Sequence, residues 1–460
     1  MTLGYDKDWY SRKLYKHFDN PLNKESALSY VRGFISYYSA ETKNFSYNPK
    51  HQFSFLPLIH YNKEYKRYNN FPKIRKICYP SHRDGYVYAY YANVILAPKY
   101  ERLLSNIKLS DCVCAYRSGI GNNYTIASDI FRKIKIFENC TVLTFDISSF
   151  FDNIDHENLK KLWCYLLGQE KLPLDHYKVY KSITKYSYIS KKELNKYNDI
   201  NIHLVKKLNI ITHKITRGIP QGTQISAMLS NIYMLDFDKK MYSTFCKKGC
   251  IYRRYADDIL LIFPSLECDA NTISEKVSEF LKQSGENLQL NKEKTEIIKF
   301  KNGKVCGTKS LQYLGLTYDG NKVLIRSGSL SKYYIKLIRF CRKAYNYSKN
   351  TKDYIITKQG KKVKPRTNII FKCKLYTKYS QYYLKSNAVK YLSRRNQINK
   401  FAIGSFWSYV KNMERSISQN NEINLNCGFR HQLRKHLSII NKEIKGQKIT
   451  RSKNRNTNVC

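Results

Sequence analysis

The chain has 460 residues, enough to bury a large core in two or three closely packed domains without disulfide bonds. Its 13 cysteines are an odd number and follow neither a disulfide framework nor a paired zinc-ligand spacing, which indicates a reduced, intracellular setting. The sequence lacks an apolar leader and any run of about 18 apolar residues, so we expect a cytoplasmic protein that does not enter a membrane.

The charge is large and unevenly distributed. Lys and Arg total 82 against 35 acids, a formal charge of +47, which indicates a polyanionic partner. An A/T-rich gene would also raise Lys, Asn, Ile and Tyr together, and the 41 tyrosines are consistent with such a bias. That bias does not explain why residues 331–460 hold 31 basic residues and only four acids. This basic C-terminal region is typical of proteins that follow a phosphate backbone.

Secondary-structure signals in the first part of the chain are mixed. Residues 1–70 are polar, and their weak helical periodicity predicts an N-terminal helical arm. Residues 73–79 form a basic, β-prone stretch, and the aromatic segment 86–96 is predicted to be helical. Residues 141–147 have the pattern of a short buried strand with an acidic residue at its end.

The signals become clearer in the middle of the chain. A helix is predicted over residues 158–167, followed by a Lys-rich surface insertion over 172–209. Residues 251–263 predict two strands joined by a tight turn. An amphipathic helix with a capping box from Thr272 to Glu275 should follow.

The last elements are a strand pair and a helical region. The strands are predicted around residues 296–300 and 311–318. Beyond residue 330 the pattern is helical and basic to the end of the chain.

Three aspartates are candidates for metal-dependent chemistry. Asp146 lies at a predicted strand end, and Asp257 and Asp258 lie at a predicted hairpin tip. Such positions allow short carboxylates to project from an apolar sheet and share Mg²⁺ ions, which prefer oxygen ligands. An Asp-Asp pair taken alone is more often an ordinary turn, because Asp is common in turns.

Five sequence blocks that occur in order favour the metal site over an ordinary turn. They are Asp-Ile-Ser-Ser-Phe-Phe-Asp from residue 146, residues 217–226 with Gly-Ile-Pro-Gln-Gly, Tyr-Ala-Asp-Asp from 255, residues 290–296, and Tyr-Leu-Gly-Leu from 313. The series resembles the conserved palm blocks of reverse transcriptases over roughly residues 73–330. The resemblance implies an α+β right-hand polymerase. It would comprise an N-terminal helical arm (1–70), fingers interleaved with an antiparallel-sheet palm (71–325), and a helical basic thumb and tail (326–460).

The resemblance also implies roles for individual residues. Asp146, Asp257 and Asp258 would be catalytic and, with the backbone carbonyl of Ile147, would hold two Mg²⁺ ions, with Mn²⁺ as an alternative. An aromatic gate against the sugar 2′-hydroxyl corresponds to Phe151, so deoxynucleotides should be preferred. The nucleotide-binding set would be Lys73, Arg75, Phe151, Gln221 and Lys294, with Lys294 as a general acid toward pyrophosphate. The primer grip would be Tyr313, Leu314 and Gly315.

The implied activity is RNA-directed DNA synthesis from dNTPs on an RNA template, yielding a DNA product. The scarcity of acids near the C-terminus predicts that no RNase H domain is present there.

Residues 79–84 and 326–333 resemble bacterial defence-associated (antiphage) reverse transcriptases, type 2 among them, which implies a dedicated structured noncoding RNA as template. The alternatives are template-independent or protein-primed synthesis, a retron or group II intron lineage, and a non-catalytic RNA-binding protein. The sequence leaves the oligomeric state open.

Overall fold

A computed structural model describes residues 9–39, 53–65, 73–350, 355–356, 362–363, 406–418 and 423–444. Helices α1 to α14 are, in chain order, Lys24–Ser39, His82–Tyr90, Ala97–Asn106, Asn123–Phe137, His156–Leu167, Leu174–Thr184, Lys191–Leu194, Ser226–Tyr233, Leu235–Phe245, Ala270–Ser284, Ser327–Asn350, Phe406–Ser418, Phe429–Leu433 and His436–Ile444.

Strands β1 to β15 are Leu58–Tyr65, Lys73–Tyr79, Cys140–Asp146, Ser187–Ser190, Ile211–Thr212, Ile251–Tyr255, Asp258–Phe263, Glu296–Lys301, Lys304–Val305, Leu311–Tyr313, Leu316–Tyr318, Lys322–Ile325, Ile355–Ile356, Lys362–Val363 and Asn426–Cys427. Helices combined with sheets in which most strand pairs are antiparallel confirm the predicted α+β class. Within the described ranges, no helix is both long and apolar enough to cross a membrane.

The chain divides into two compact units. The first comprises residues 1–120 and 141–297, and the second comprises residues 121–140 and 298–460. The predicted division into arm, fingers with palm, and thumb remains a prediction.

Two sheets organise the first unit. One has the strand order β2-β1-β4-β5, and the other contains β6, β7 and β3, with β7 paired antiparallel to both neighbours. Helix α8 is buried along most of its length, because Met228, Leu229 and Ile232 pack into the main hydrophobic core. Its polar residue Asn231 is also buried, and the side-chain amide donates to the carbonyl of Ala115 at 2.8 Å. This hydrogen bond offsets the cost of burying the amide.

The second unit is built from hairpins and helices. Strands β10, β11, β12 and β15 form one sheet, and β8 pairs with β9. Phe131 of α4 stacks on Tyr318 of β11, with ring centroids 4.8 Å apart. Helices α11 and α14 pack together, and Arg342 makes a bidentate ion pair with the buried carboxylate of Glu443.

Three predictions about local structure were wrong. Residues 172–209 are not a surface insertion, because Val179 and Ile183 of α6 lie in the main core and Ile189 of β4 pairs with β1. The N-cap of α10 is Asp269, whose carboxylate accepts the amides of residues 271 and 272, instead of Thr272. Residues 296–300 and 311–318 do not pair with each other, since each segment belongs to its own hairpin.

The aromatic segment over residues 86–96 is helical, as predicted, and the helix continues past a proline. A π-helical turn, Tyr91–Leu96, separates α2 from α3, and the amide of Ala97 reaches the carbonyl of Ala92. Pro98 follows immediately in α3, and the wider π-helical turn before it accommodates a residue that has no N–H to donate.

The N-terminal arm is mixed in structure: it contains α1 and also strand β1, and a buried acid attaches it to α2. Asp84 of α2 is 3% exposed, and its Oδ2 accepts the amide of Leu56 at 2.9 Å. Asp19 accepts the amides of His82 and Arg83, both at 2.9 Å. Burial raises the pKa of Asp84 to about 7, although its hydrogen bonds oppose the shift. This carboxyl therefore takes up a proton on folding between pH of about 4 and about 7.

Asp84→Asn should change how stability depends on pH. The folded-state pKa lies above the unfolded value, so the wild-type protein should lose stability as the pH rises from about 4 to about 7. Asparagine keeps an acceptor for the Leu56 amide but does not ionise. In urea unfolding, the stability of the variant relative to the wild type should therefore rise from about pH 4 to about pH 7 and change little above that. If the free energy of unfolding changed with pH equally in the two proteins, this account would be contradicted.

Candidate active site

The strand register of the first unit brings candidate carboxylates together. Strand β3 pairs antiparallel with β7 so that Asp146 lies directly opposite Asp258. Opposed residues of an antiparallel pair project from the same face of the sheet. Asp257 occupies the two-residue loop between β6 and β7, next to Ala256, which has φ +56°. The carbonyl of Asp257 accepts the amide of Ile147 at 3.1 Å, so the loop is joined to the chain directly after Asp146.

A buried ion pair holds this hairpin in place. Arg254 of β6 and Asp238 of α9 both have fully buried side chains, and their two contacts measure 2.7 and 2.6 Å. The same guanidinium donates to the carbonyl of Ala256 at 3.2 Å, and Tyr252 donates to Asp238 at 2.6 Å. Burial alone would lower the pKa of Arg254, but the Asp238 carboxylate outweighs it and leaves the pKa above its ordinary value. The tip that carries Asp257 is therefore fixed from inside the core.

Our sequence reasoning did not identify Arg254 as a functional residue. The signal was present, because alternation along β6 places Arg254 on the same buried face as Tyr252. An arginine in the buried phase of a strand requires an acid partner, since an unpaired buried charge is strongly unfavourable.

Lys294 reaches the first carboxylate. The segment around Leu290 continues the sheet beside β3, with the amide of Asn291 donating to the carbonyl of Asp146 at 2.7 Å. Three residues later, Lys294 Nζ lies 2.5 Å from Asp146 Oδ2. The structure thus brings Lys294 to the candidate site, in an ion pair with a carboxylate.

Asp257 has an unusual electrostatic environment. Burial raises its pKa, a backbone hydrogen bond opposes the rise, and the negative charge of Asp146 adds to it. The cations of Lys294 and Arg75 act in the opposite direction. Crowding of acids in a partly dry site is what a bound cation would relieve.

The donor set fits Mg²⁺ shared with a substrate. Mg²⁺ takes six oxygen ligands, commonly one or two carboxylates completed by water and substrate phosphates. Asp146, Asp257 and Asp258 supply such oxygens at the adjoining ends of β3 and β7. Across the described ranges, no three acidic, His or Cys side chains are arranged as a ready metal cage.

Phe151 lies next to the glycine-proline loop. It is half-buried after a left-handed residue, Ser149, and its carbonyl accepts the amide of Ile219 at 2.9 Å. Gly218 has φ +90°, and a Cβ there would lie 3.1 Å from the carbonyl oxygen of Asp152. Glycine is thus required where the two segments meet.

The same loop is joined to β2. The carbonyl of Gln221 accepts the amide of Cys78 at 2.8 Å, and Gly222, with φ +118°, leaves no room for a Cβ beside the carbonyl of Cys78. Arg75 of β2 is exposed and acts electrostatically on Asp257. Lys73 begins β2, and its side chain falls outside the described part of the chain.

The predicted primer-grip residues lie in the second unit. Tyr313 ends β10, and the two-residue loop to β11 consists of Leu314 at φ +46° and Gly315 at φ +90°. Positive φ at both loop positions matches the twist of a tight hairpin. The hairpin is present, and its contact with a primer remains a prediction.

Arg254→Ala should destabilise the first unit by about 3–5 kcal/mol, because Asp238 would stay buried without its counter-charge. Arg254→Lys keeps a charge but loses the two-pronged contact and should fall between wild type and Ala. Arg102→Ala, an exposed arginine of α3, is the matched control and should stay within about 0.5 kcal/mol of wild type. Urea unfolding measures all three, and equal effects of the Arg254 and Arg102 variants would refute the anchoring role.

Part of the chain is similar to a known protein family. Residues 100–318, slightly under half of the chain, match the family model described as "Reverse transcriptase (RNA-dependent DNA polymerase)". No curated protein sequence shows significant similarity to the chain.

Solved structures similar to the chain include polymerases. An apo telomerase from Candida tropicalis matches at 13% identity and TM-score 0.39, covering 93% of this chain and 71% of that one. A Candida albicans telomerase in complex with a fragment of telomeric RNA matches at 14% identity and TM-score 0.38, covering 92% and 66%. An RNA-dependent RNA polymerase of a human picobirnavirus matches at 11% identity and TM-score 0.36, covering 69% and 60%. Against a C. tropicalis telomerase truncated at its C-terminal domain, the chain spans 58% of that structure's length.

Proposed function

We propose that this chain is an RNA-directed DNA polymerase whose catalytic carboxylates are Asp146, Asp257 and Asp258. The observation that carries the proposal is the β3–β7 register, which sets Asp146 opposite Asp258 with Asp257 at the adjoining tip. The acids fall within the segment that matches reverse transcriptases. A non-catalytic RNA-binding protein would have no need for three acids so placed.

In this proposal the carboxylates position two Mg²⁺ ions, which activate a primer 3′-hydroxyl and stabilise the leaving pyrophosphate when bound. The chain itself supplies rigidity, because Arg254 and the Ile147 amide fix both sides of the hairpin loop. Lys294 Nζ lies next to Asp146 Oδ2 and would donate a proton toward pyrophosphate.

The nucleotide site combines three segments. Phe151 would pack under the deoxyribose, leaving no space for a 2′-hydroxyl. The Gly218–Gln221 loop rests on Phe151 through the Ile219 amide and on β2 through the Cys78 amide. Arg75 would contact the triphosphate, for which a guanidinium fork is well suited.

The biological setting that we propose is antiphage defence with a dedicated structured noncoding RNA as template. Support comes from the resemblance of residues 79–84 and 326–333 to defence-associated reverse transcriptases, and from the +47 charge, which suits a large RNA partner. Sequencing the nucleic acid that copurifies with the protein tests this setting. Recovery of heterogeneous cellular RNA, with no dominant structured species, would argue against a dedicated template.

Asp146→Asn and Asp257→Asn should each reduce labelled dNTP incorporation on a primed RNA template by roughly a hundredfold or more, because each removes a charged oxygen from the metal site. RNA affinity, measured in parallel, should be unchanged. Asp236→Asn, an exposed acid on α9 of the same unit, is the control. Retained synthesis in both site variants would overturn the assignment, and synthesis by the wild type without any template would favour template-independent polymerisation.

Phe151→Val should admit ribonucleotides, raising incorporation of rNTPs relative to dNTPs on the order of tenfold or more, since the smaller side chain opens space at the sugar. Phe151→Tyr retains the ring and should keep the preference for dNTPs. Single-nucleotide extension with matched rNTP and dNTP pairs measures the ratio. Unchanged sugar selection in the valine variant would exclude Phe151 as the gate.

A further inference from the structure

A cleft of about 390 Å³ is lined by the segment after α3, the end of α9 and strand β6, and by none of the proposed catalytic, nucleotide-binding or primer-grip residues. Three cysteines line it: Cys112, Cys246 and Cys250. Lys108 and Arg253 add positive charge to its wall. All of these residues belong to the first compact unit. The cleft thus gathers thiols and cations apart from the proposed polymerase centre.

Cys246 is the member of this cluster that solvent reaches. Its side chain is partly exposed, whereas Cys112 and Cys250 are 4% and 8% exposed. A hydrogen bond from the Cys112 thiol lowers the pKa of Cys246, although burial opposes the shift. The amide of Tyr252 and the cation of Arg253 lower the pKa of Cys246 further. The thiolate is the nucleophilic form of cysteine, so Cys246 is the reactive thiol.

Cys112 is the protonated partner in this contact. The same hydrogen bond, together with burial, raises the pKa of Cys112. A partly exposed thiol that favours its thiolate, next to a second thiol that can resolve an oxidised sulfur, is the arrangement found at oxidation-sensitive cysteines. Cys112 needs no access to solvent for that role, because its target is the sulfur of Cys246.

Backbone hydrogen bonds hold both cysteines close to strand β6. The carbonyl of Cys112 accepts the amide of Arg254 at 2.7 Å, and the amide of Cys114 donates to the carbonyl of Arg254 at 2.8 Å. The carbonyl of Cys246 accepts the amide of Gly249 at 3.0 Å, in the turn that leads from α9 into β6. The thiol pair is therefore positioned by the main chain around the strand that carries the buried arginine.

We propose that Cys112 and Cys246 are a peroxide-sensitive thiol pair that is converted to a disulfide. The Cys246 thiolate attacks one oxygen of hydrogen peroxide and the O–O bond breaks, which gives a sulfenic acid and hydroxide. The hydroxide takes up the proton that Cys246 lost. The sulfur of Cys112 then attacks the sulfenic sulfur, the S–OH bond breaks, and water leaves with the proton of Cys112. Two thiols are oxidised to one disulfide while one peroxide is reduced to two waters.

The disulfide would join both sides of the buried ion pair. Cys246 directly follows α9, which carries Asp238, and Cys112 belongs to the segment that pairs with Arg254. The bond would close a loop of roughly 130 residues, which restricts the unfolded chain and stabilises the folded one. This modification requires neither template nor nucleotide, so it goes beyond the proposed polymerase activity and does not depend on it.

Peptide mapping of the full-length protein, without nucleotides, nucleic acid or metal, tests the proposal. The reduced protein is treated with hydrogen peroxide, the remaining thiols are alkylated, and the digest is analysed by mass spectrometry. We expect a peptide pair that joins Cys112 to Cys246, lighter by two hydrogen atoms than the separate peptides and released by dithiothreitol. A bond from Cys246 to Cys250 in its place, or oxidation of the exposed Cys306 while both cleft thiols stay reduced, would overturn the proposal.

Serine variants separate the roles of the thiols. Cys112→Ser should lose the linked peptide and stop at the Cys246 sulfenic acid, which a 1,3-diketone reagent labels. Cys250→Ser and the matched control Cys306→Ser, an exposed cysteine of the second unit, should form the disulfide like the wild type. Loss of the linked peptide in Cys250→Ser, or absence of sulfenic acid from Cys246 in Cys112→Ser, would contradict the assigned roles.

Urea unfolding measures the consequence for the first unit. Peroxide treatment should raise the unfolding midpoint of the wild type by roughly 1 M, because the disulfide restricts the unfolded chain. The midpoint of Cys112→Ser should not respond to peroxide. An equal response of the wild type and Cys112→Ser would show that another modification causes the shift and would refute the stabilising role of this disulfide.

Discussion

The buried pair of Arg254 and Asp238 is the constraint on which the candidate site depends. Two fully buried charges are costly to remove from water, and their attraction offsets this only when the geometry satisfies both groups. Here the guanidinium is satisfied by both carboxylate oxygens, by Asn231 and by the Ala256 carbonyl. Any shift of the hairpin tip would break these contacts together. The pair thus specifies the position of the hairpin more than it adds stability.

Around this anchor, segments distant in sequence are joined by backbone hydrogen bonds. The amide of Asn291 meets the carbonyl of Asp146, the amide of Ile219 meets Phe151, and the amide of Cys78 meets Gln221. Each joint connects two of the sequence blocks, or a block with strand β2. Because these hydrogen bonds use backbone groups, they fix the distances between the segments and leave the side chains available for a substrate. This arrangement suits a reaction in which positioning and electrostatics do most of the work.

Much of the fold could be predicted because some local signals are strong. The apolar run before Asp146 and the Tyr-Ala-Asp-Asp turn gave β3, β6 and β7 from period and turn chemistry alone. Residues 172–209 were misjudged because their many lysines hide the apolar positions Val179, Ile183 and Ile189, which meet the core only after folding. The cap of α10 was misplaced because Asp269 and Thr272 are both good capping residues, and residue type alone does not choose between them.

The sequence by itself determined the acidic triad as candidates and the order of the blocks, since these depend on residue type and spacing along the chain. The resemblance of those blocks to reverse transcriptases implied the α+β class. The sequence also determined the excess of basic charge near the C-terminus. Only the tertiary structure decided that Asp146 opposes Asp258, that Lys294 pairs with Asp146, and that Arg254 anchors the loop. Register and long-range pairing arise from the packing of residues far apart in sequence, 148 positions for Lys294 and Asp146, and no local pattern encodes which partner a buried charge will find.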